Sequence, residues 1–321
     1  MKLRFMPVIG TAAVSLALIS GCQNTPTASE VSNAMVNKVV LPSYTNLVSA
    51  SEDLESSLNE LADDPSSKNL EKARDKWRAA RKAWELTETW AYGPAETLDY
   101  DPNLDDWPVS TNELSSALST DFSSKTFSRL DTTSRGFHGI EYVLFGDSDL
   151  TAQELEYLKT AGADLEDNAD GLLQSWRGEE GFGASVVEAD PASAIIDILA
   201  GMQGCLEEVA DGKLGTPFGE ADEGELESVF SGNTGTDVVH NISGVQLAWE
   251  RSKLQNYVQE RNSDLANTLT NQLNDAVKLA KALPARLNNK LNSSSTQRQI
   301  AQLTNALREA AETTASIAGS I

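Results

Sequence analysis

Trp77-Arg78-Ala79-Ala80-Arg81-Lys82-Ala83-Trp84-Glu85-Leu86-Thr87-Glu88-Thr89-Trp90 is the stretch on which the fold turns. With Leu70 and Ala73 upstream, Trp77, Ala80 and Trp84 recur at threes and fours. That spacing puts them on one side of an α-helix, whereas a half-buried strand would alternate every second residue. It predicts a helix over 67–92 whose buried face carries Leu70, Ala73, Trp77, Ala80, Trp84 and Trp90. Glu85 and Glu88 stand at i,i+3 on that helix, so both carboxylates point to the same side.

Outward from this stretch the same period repeats. Leu47, Leu54, Leu58 and Leu61 predict a helix over 44–62 that Pro42 starts or kinks, and Asp64-Pro65-Ser66 ends it. Thr151-Ala152-Gln153-Glu154 caps a helix reaching about residue 176, and Asp190-Pro191 opens another to about 210. Further helices are expected over 236–260, 263–282 and 295–318. Two irregular acidic stretches, 93–110 and 212–235, and a glycine-rich break at 178–183 interrupt them. Ser110-Thr111-Asn112-Glu113 reads as a capping box opening a short helix. No alternating strand pattern of useful length is present. The fold class is therefore all-α, with two tandem helical-bundle halves, approximately 31–178 and 184–321, packed as one unit.

The N-terminus reads as an address. Met1-Lys2-Leu3-Arg4 is a basic start, residues 5–19 are apolar but short for a membrane span, and Ile19-Ser20-Gly21-Cys22 follows. This is similar to a bacterial lipoprotein signal, which implies a leader over 1–21 and lipidation of Cys22. Gln23 after the cysteine implies the outer membrane of a Gram-negative envelope, with the chain facing the periplasm. Residues 22–30 read as a flexible tether and 31–321 as the folded domain. The full chain carries 25 basic and 48 acidic residues, a formal net charge of −23. Such a surface repels nucleic acid and attracts cations diffusely. With Cys22 lipidated, Cys205 is the one cysteine left, so neither an internal disulfide nor a thiolate zinc cluster is available. Cys205 lies in an apolar run and reads as a buried side chain.

The chemistry concentrates at Gly136-Phe137-His138-Gly139-Ile140-Glu141, which holds one of two histidines in 321 residues. On a helix ending near Gly146, His138 and Glu141 share a side at i,i+3. Helical bundles build metal sites from such pairs facing glutamates on other helices. Glu85 and Glu88 opposite His138 and Glu141 would supply hard oxygen donors and one imidazole, a set suited to iron, manganese or zinc. The loop aspartates Asp99, Asp101, Asp105 and Asp106 are further donors in reach. His240, at an apolar helix start, reads as a packed or capping side chain. A His-Glu-x-x-His zinc motif, a phosphate-binding loop, a dinucleotide fingerprint and a Gly-x-Ser-x-Gly elbow are all absent.

Gly136-x-His138-x-x-Glu141 resembles the signature of the imelysin-like proteins, also classed as peptidase family M75. Trp84-Glu85-x-x-Glu88 running into Gly93-Pro94, and Trp107-Pro108 after it, resemble that family's second helix and following loop. Lys213-Leu214-Gly215-Thr216-Pro217 and Glu227-Ser228-x-Phe230-Ser231-x-Asn233-Thr234 are similar to its second-half motifs. The resemblance implies an all-helical envelope protein linked to iron acquisition, working with other iron-uptake components and with no nucleic-acid partner. It carries His138 and Glu141 over as the metal pair, then Glu85 and Glu88, and makes iron the first expected ion. A metal-dependent peptidase is the alternative it implies, although one histidine stands where zinc peptidases of the helix type use two.

Overall fold

Leu47, Leu54, Leu58 and Leu61 are all buried along one side of a helix that packs on the tryptophan-bearing helix and on a third long one. The computed structural model describes residues 25–119, 122–146 and 148–321. The leader and Cys22 lie outside the described residues, which contain no strand. In chain order the helices are α1 (Ala28–Ala34), α2 (Leu41–Asp63), α3 (Ser67–Glu85), α4 (Pro94–Thr97), α5 (Tyr100–Asp105), α6 (Thr111–Leu118), α7 (Ser124–Phe127) and α8 (Gly136–Leu144). There follow α9 (Ala152–Trp176), α10 (Phe182–Glu188), α11 (Pro191–Glu208), α12 (Gly215–Glu220), α13 (Thr234–Arg251), α14 (Leu254–Gln259), α15 (Ser263–Lys281) and α16 (Ser294–Ala318).

Helices α2, α3 and α9 pack against one another, and α11, α13, α15 and α16 form a second group. One continuous apolar core runs through both. Trp77, Trp84 and Trp90 are fully buried in it, as their spacing predicts. Each such large side chain withdrawn from water contributes on the order of 2–3 kcal/mol. Helix α13 packs on α3, and α1 lies on α11, so the helices near the N-terminus touch both groups.

Several local expectations need correction. Helix starts at Ala28, because Thr27 and Glu30 form a reciprocal capping box, so residues 28–30 belong to the fold and not to a tether. Helical structure is then continuous through a π-helical segment, Met35–Val40, into α2, and Pro42, in the first turn of α2, lacks the N–H that would carry the backbone bonds across this junction. Ser110 makes no capping bond to α6: Glu113, its expected partner, instead accepts from Ser134 Oγ at 2.6 Å. The acidic stretch 93–110 is built around α4 and α5, and the stretch 212–235 includes α12. Helix 236–260 divides at Lys253, whose φ of 69° takes it out of the right-handed region. Helix α3 ends at Glu85, and Glu88 opens a 3₁₀ turn, Glu88–Trp90, so the two glutamates are not successive turns of one α-helix.

Candidate metal centre

Five elements deliver charged side chains to one buried spot. The end of α3 and its 3₁₀ turn bring Arg81, Glu85 and Glu88; the end of α5 brings Asp105; α8 brings His138 and Glu141. A π-helical turn, Val209–Lys213, extends α11 and ends on the buried Lys213. The segment leading into α13 supplies Glu227 and Ser231, and α13 itself presents Asp237 and Asn241 at i,i+4.

Gly136 explains how α5 and α8 come so close. Its φ is +57°, and a Cβ there would stand 2.3 Å from the Leu104 carbonyl oxygen. Only glycine takes that conformation without strain and leaves room for the adjoining backbone. The next residue after Leu104 is Asp105, which meets His138 with Oδ1 3.0 Å from Nε2. Asp105 also pairs with the Arg81 guanidinium and accepts from Trp84 Nε1 at 2.5 Å.

His138 Nδ1 lies 3.1 Å from Glu141 Oε2. The other oxygen of Glu141 accepts from Ser231 N at 2.8 Å and from Ser231 Oγ at 2.7 Å. Glu141 thus has both oxygens engaged, and it belongs to neither group of donors described next. Asp105, His138 and Glu227 can each offer an atom within 4.8 Å of the others, and so can Glu85, Glu88, Asp105 and Glu227. Asp105 and Glu227 are common to both groups.

Two internal cations sit among these carboxylates. Lys213 Nζ is 2.7 Å from Glu88, 2.8 Å from Glu227 and 3.2 Å from Glu85. Arg81 pairs with Glu85 and Asp105 and stands 2.8 Å from Glu227 Oε1. Asn241 donates to Glu85 Oε2 at 2.6 Å and to Glu88 Oε2 at 2.9 Å. Among the described residues Glu227 Oε2 has no hydrogen-bond partner, although its side chain is fully buried. A buried carboxylate oxygen left without a donor is costly unless a cation or water meets it.

The electrostatics carry the strain of this crowding. Burial raises Glu85 to about 8, against the pull of Arg81 and Lys213, with Glu227 and Asp237 adding to the rise. Burial and the neighbouring Glu85 push Glu88 upward as well. Burial and Arg81 draw His138 down, but hydrogen bonds to Asp105 and Glu141 prevail and hold it at about 9. Asp105 is lowered: Arg81 and His138 together outweigh its burial.

The site's floor opens to a cleft of about 590 Å³ bordered by Glu88, Glu227, Asp101, Glu208, Tyr92 and Trp107, among others. Of the loop aspartates, Asp105 enters the centre, Asp101 and Asp106 line the cleft, and Asp99 caps α5 in the left-handed conformation. His240 is apart from the centre, half-buried and lowered to about 4 by burial and Lys82. Cys205 is buried and forms part of the cleft wall.

Periodicity and spacing did not single out Arg81, Lys213, Glu227, Ser231, Asp237 or Asn241 as site residues. Lys213, Glu227 and Ser231 lie within the second-half motifs quoted above. Arg81–Glu85 and Asp237–Asn241 were visible as polar i,i+4 pairs on otherwise apolar helix faces.

The family model described as imelysin, peptidase M75, matches residues 40–314. Iron-regulated protein A of Synechococcus elongatus is 29% identical over 306 residues, covering 89% of this chain and 84% of that protein. A candidate iron-regulated protein A precursor from Parabacteroides distasonis has a solved structure with a TM-score of 0.82 at 22% identity, covering 92% of this chain and 97% of its own. The structure of an imelysin-like protein from Psychrobacter arcticum gives a TM-score of 0.75 at 16% identity, over 90% of this chain and 94% of its own. The two solved structures share the all-helical fold, and the family model spans both groups of helices and every residue of the buried centre. The chain belongs to the imelysin family.

Proposed function

We propose that this protein binds a metal ion, iron first, at the buried centre, as part of iron acquisition at the cell envelope, where a lipid on Cys22 anchors it. The observation that carries the reading is a deficit of positive charge. Glu85, Glu88, Asp105, Glu141, Glu227 and Asp237 bring six carboxylates whose side chains are at most 9% exposed. Among the described residues they face two permanent cations, Arg81 and Lys213, and the imidazolium of His138. Six carboxyl groups against three cations leave three positive charges to be supplied by protons or by an ion. Without an ion, burial and mutual repulsion favour protons on Glu85 and Glu88, and a divalent or trivalent ion would take their place.

His138 Nε2, Asp105 and Glu227 are the donors best suited to hold it, with Glu85 and Glu88 alongside. Glu141 supports the histidine from behind, accepting from Nδ1, so that an ion displacing the proton between Nε2 and Asp105 would meet Nε2 directly. Carboxylate oxygens with one imidazole favour iron, manganese or zinc over soft Cu(I). The similarity to iron-regulated protein A supports iron as the first candidate.

Metal analysis of protein purified without chelator, with His138→Ala as control, tests this. Bound iron, manganese or zinc in the wild type that falls by at least tenfold in the variant is the expected result. Metal at background in both would contradict the reading, and metal-dependent cleavage of unfolded substrates lost in His138→Ala would favour a peptidase instead.

A further inference from the structure

We infer that the cleft receives its metal as a hydrated cation and excludes iron held in an anionic chelate such as a polycarboxylate. This rests on the metal-binding reading above and names the form in which the ion arrives. Volume does not decide between the two forms. A space of about 590 Å³ holds a hydrated ion or a small chelate, since a water occupies roughly 30 Å³.

Charge does decide. Among the described residues eight acidic side chains border the cleft, and no lysine, arginine or histidine does. Glu96 and Asp197 stand exposed at its mouth, Asp101 is part-buried in its wall, and Glu88 and Glu227 form its floor. Arg81 and Lys213 lie behind that floor, fully buried and already paired with its carboxylates, so neither offers a free donor to an incoming anion. A cleft of one sign between low-dielectric walls concentrates ions of the opposite sign and repels its own.

Two further observations point the same way. The Glu227 carboxylate is buried, borders the cleft and keeps Oε2 without a hydrogen-bond donor. An aqua ion brings a net positive charge and water protons to that oxygen, whereas an anionic carboxylate chelate brings net negative charge to a carboxylate. Asp101, pushed up to about 7 first by burial and then by Asp105 and Glu208, shows that a further negative charge is disfavoured in the wall.

The test is equilibrium dialysis of the mature chain against Mn²⁺, against Fe²⁺ without oxygen, and against ferric citrate with iron and labelled citrate counted separately. The expected result is retention of Mn²⁺ and Fe²⁺ with citrate at background. Replacing the exposed mouth residues together, Glu96→Lys with Asp197→Lys, should weaken Mn²⁺ binding about tenfold while circular dichroism stays helical. Citrate retained with iron at an affinity equal to Mn²⁺ would overturn the inference and leave the metal-binding reading standing. Unchanged Mn²⁺ affinity in the double variant would show that the mouth charges do not act, and would overturn it too. Failure of the wild type to retain any of the three would overturn both.

Discussion

With Nδ1 committed to Glu141, His138 offers its second nitrogen to Asp105, and in the metal-free protein a proton fills the place between them. Glu85 likewise holds a proton at neutral pH when no ion is present. Both groups have pKa values raised above their ordinary ones. The stability they contribute is complete below the unfolded value and is lost as pH rises through the folded value. For Glu85 that window runs from 4.5 to about 8, and for His138 from 6.5 to about 9. His240, lowered to about 4, works in the opposite direction, but its contribution is complete above pH 6.5. The melting temperature of metal-free protein should therefore fall steadily between pH 6.5 and 8. Saturating metal should flatten that fall, because the ion replaces the protons. A metal-free melting temperature that rises over this range would show that the buried centre is not short of positive charge. Lys213 matters here as well: its ammonium lies among the carboxylates that an ion would join, and it is the internal charge that such an ion must share them with.

At the scale of elements, the short helix α5 is what lets an acidic loop deliver a carboxylate to the buried centre, and Gly136 is what lets it dock on α8. Gly136→Ala should cost at least about 1–2 kcal/mol from the left-handed backbone alone, and more from the contact with Leu104. It should also remove most of the metal-induced thermal shift, because Asp105 follows Leu104 directly and moves with it. Thermal melts with and without metal check both parts; a variant that melts lower yet keeps the full shift would detach Asp105 from the site. The long helices were legible in the sequence, since burying a wide apolar face forces a regular period, and Leu47–Leu61 and Leu70–Trp84 follow it. The site was legible in part. His138 and Glu141 stood out because histidine is scarce here and the spacing is helical. Asp105 was visible only as one of four loop aspartates, since α5 has a single buried residue, Leu104, and hence no period to read. Glu227 gave no periodic signal, only its place in a second-half motif, because it lies between a 3₁₀ turn and α13 and reaches the centre by tertiary packing. Arg81 was visible only as the i,i+4 partner of Glu85 among the many charged residues of α3, which read as solvated until α13 packs on that helix.

At the scale of the molecule, helices from both groups close around a centre richer in acid than in base, within a chain whose formal net charge is already −23. Core packing of the tryptophans and leucines bears the cost of holding those charges together, and the unbalanced remainder is what a metal ion would relieve. The most direct measurement is an anomalous diffraction map at the iron edge from crystals of this protein loaded with Fe²⁺ under anaerobic conditions. The account predicts one strong peak at about 2 Å from His138 Nε2, between Asp105 and Glu227, with Glu141 still bonded to Ser231. A map without a peak there, or with iron bound directly to Glu141 and His138 turned away, would contradict it.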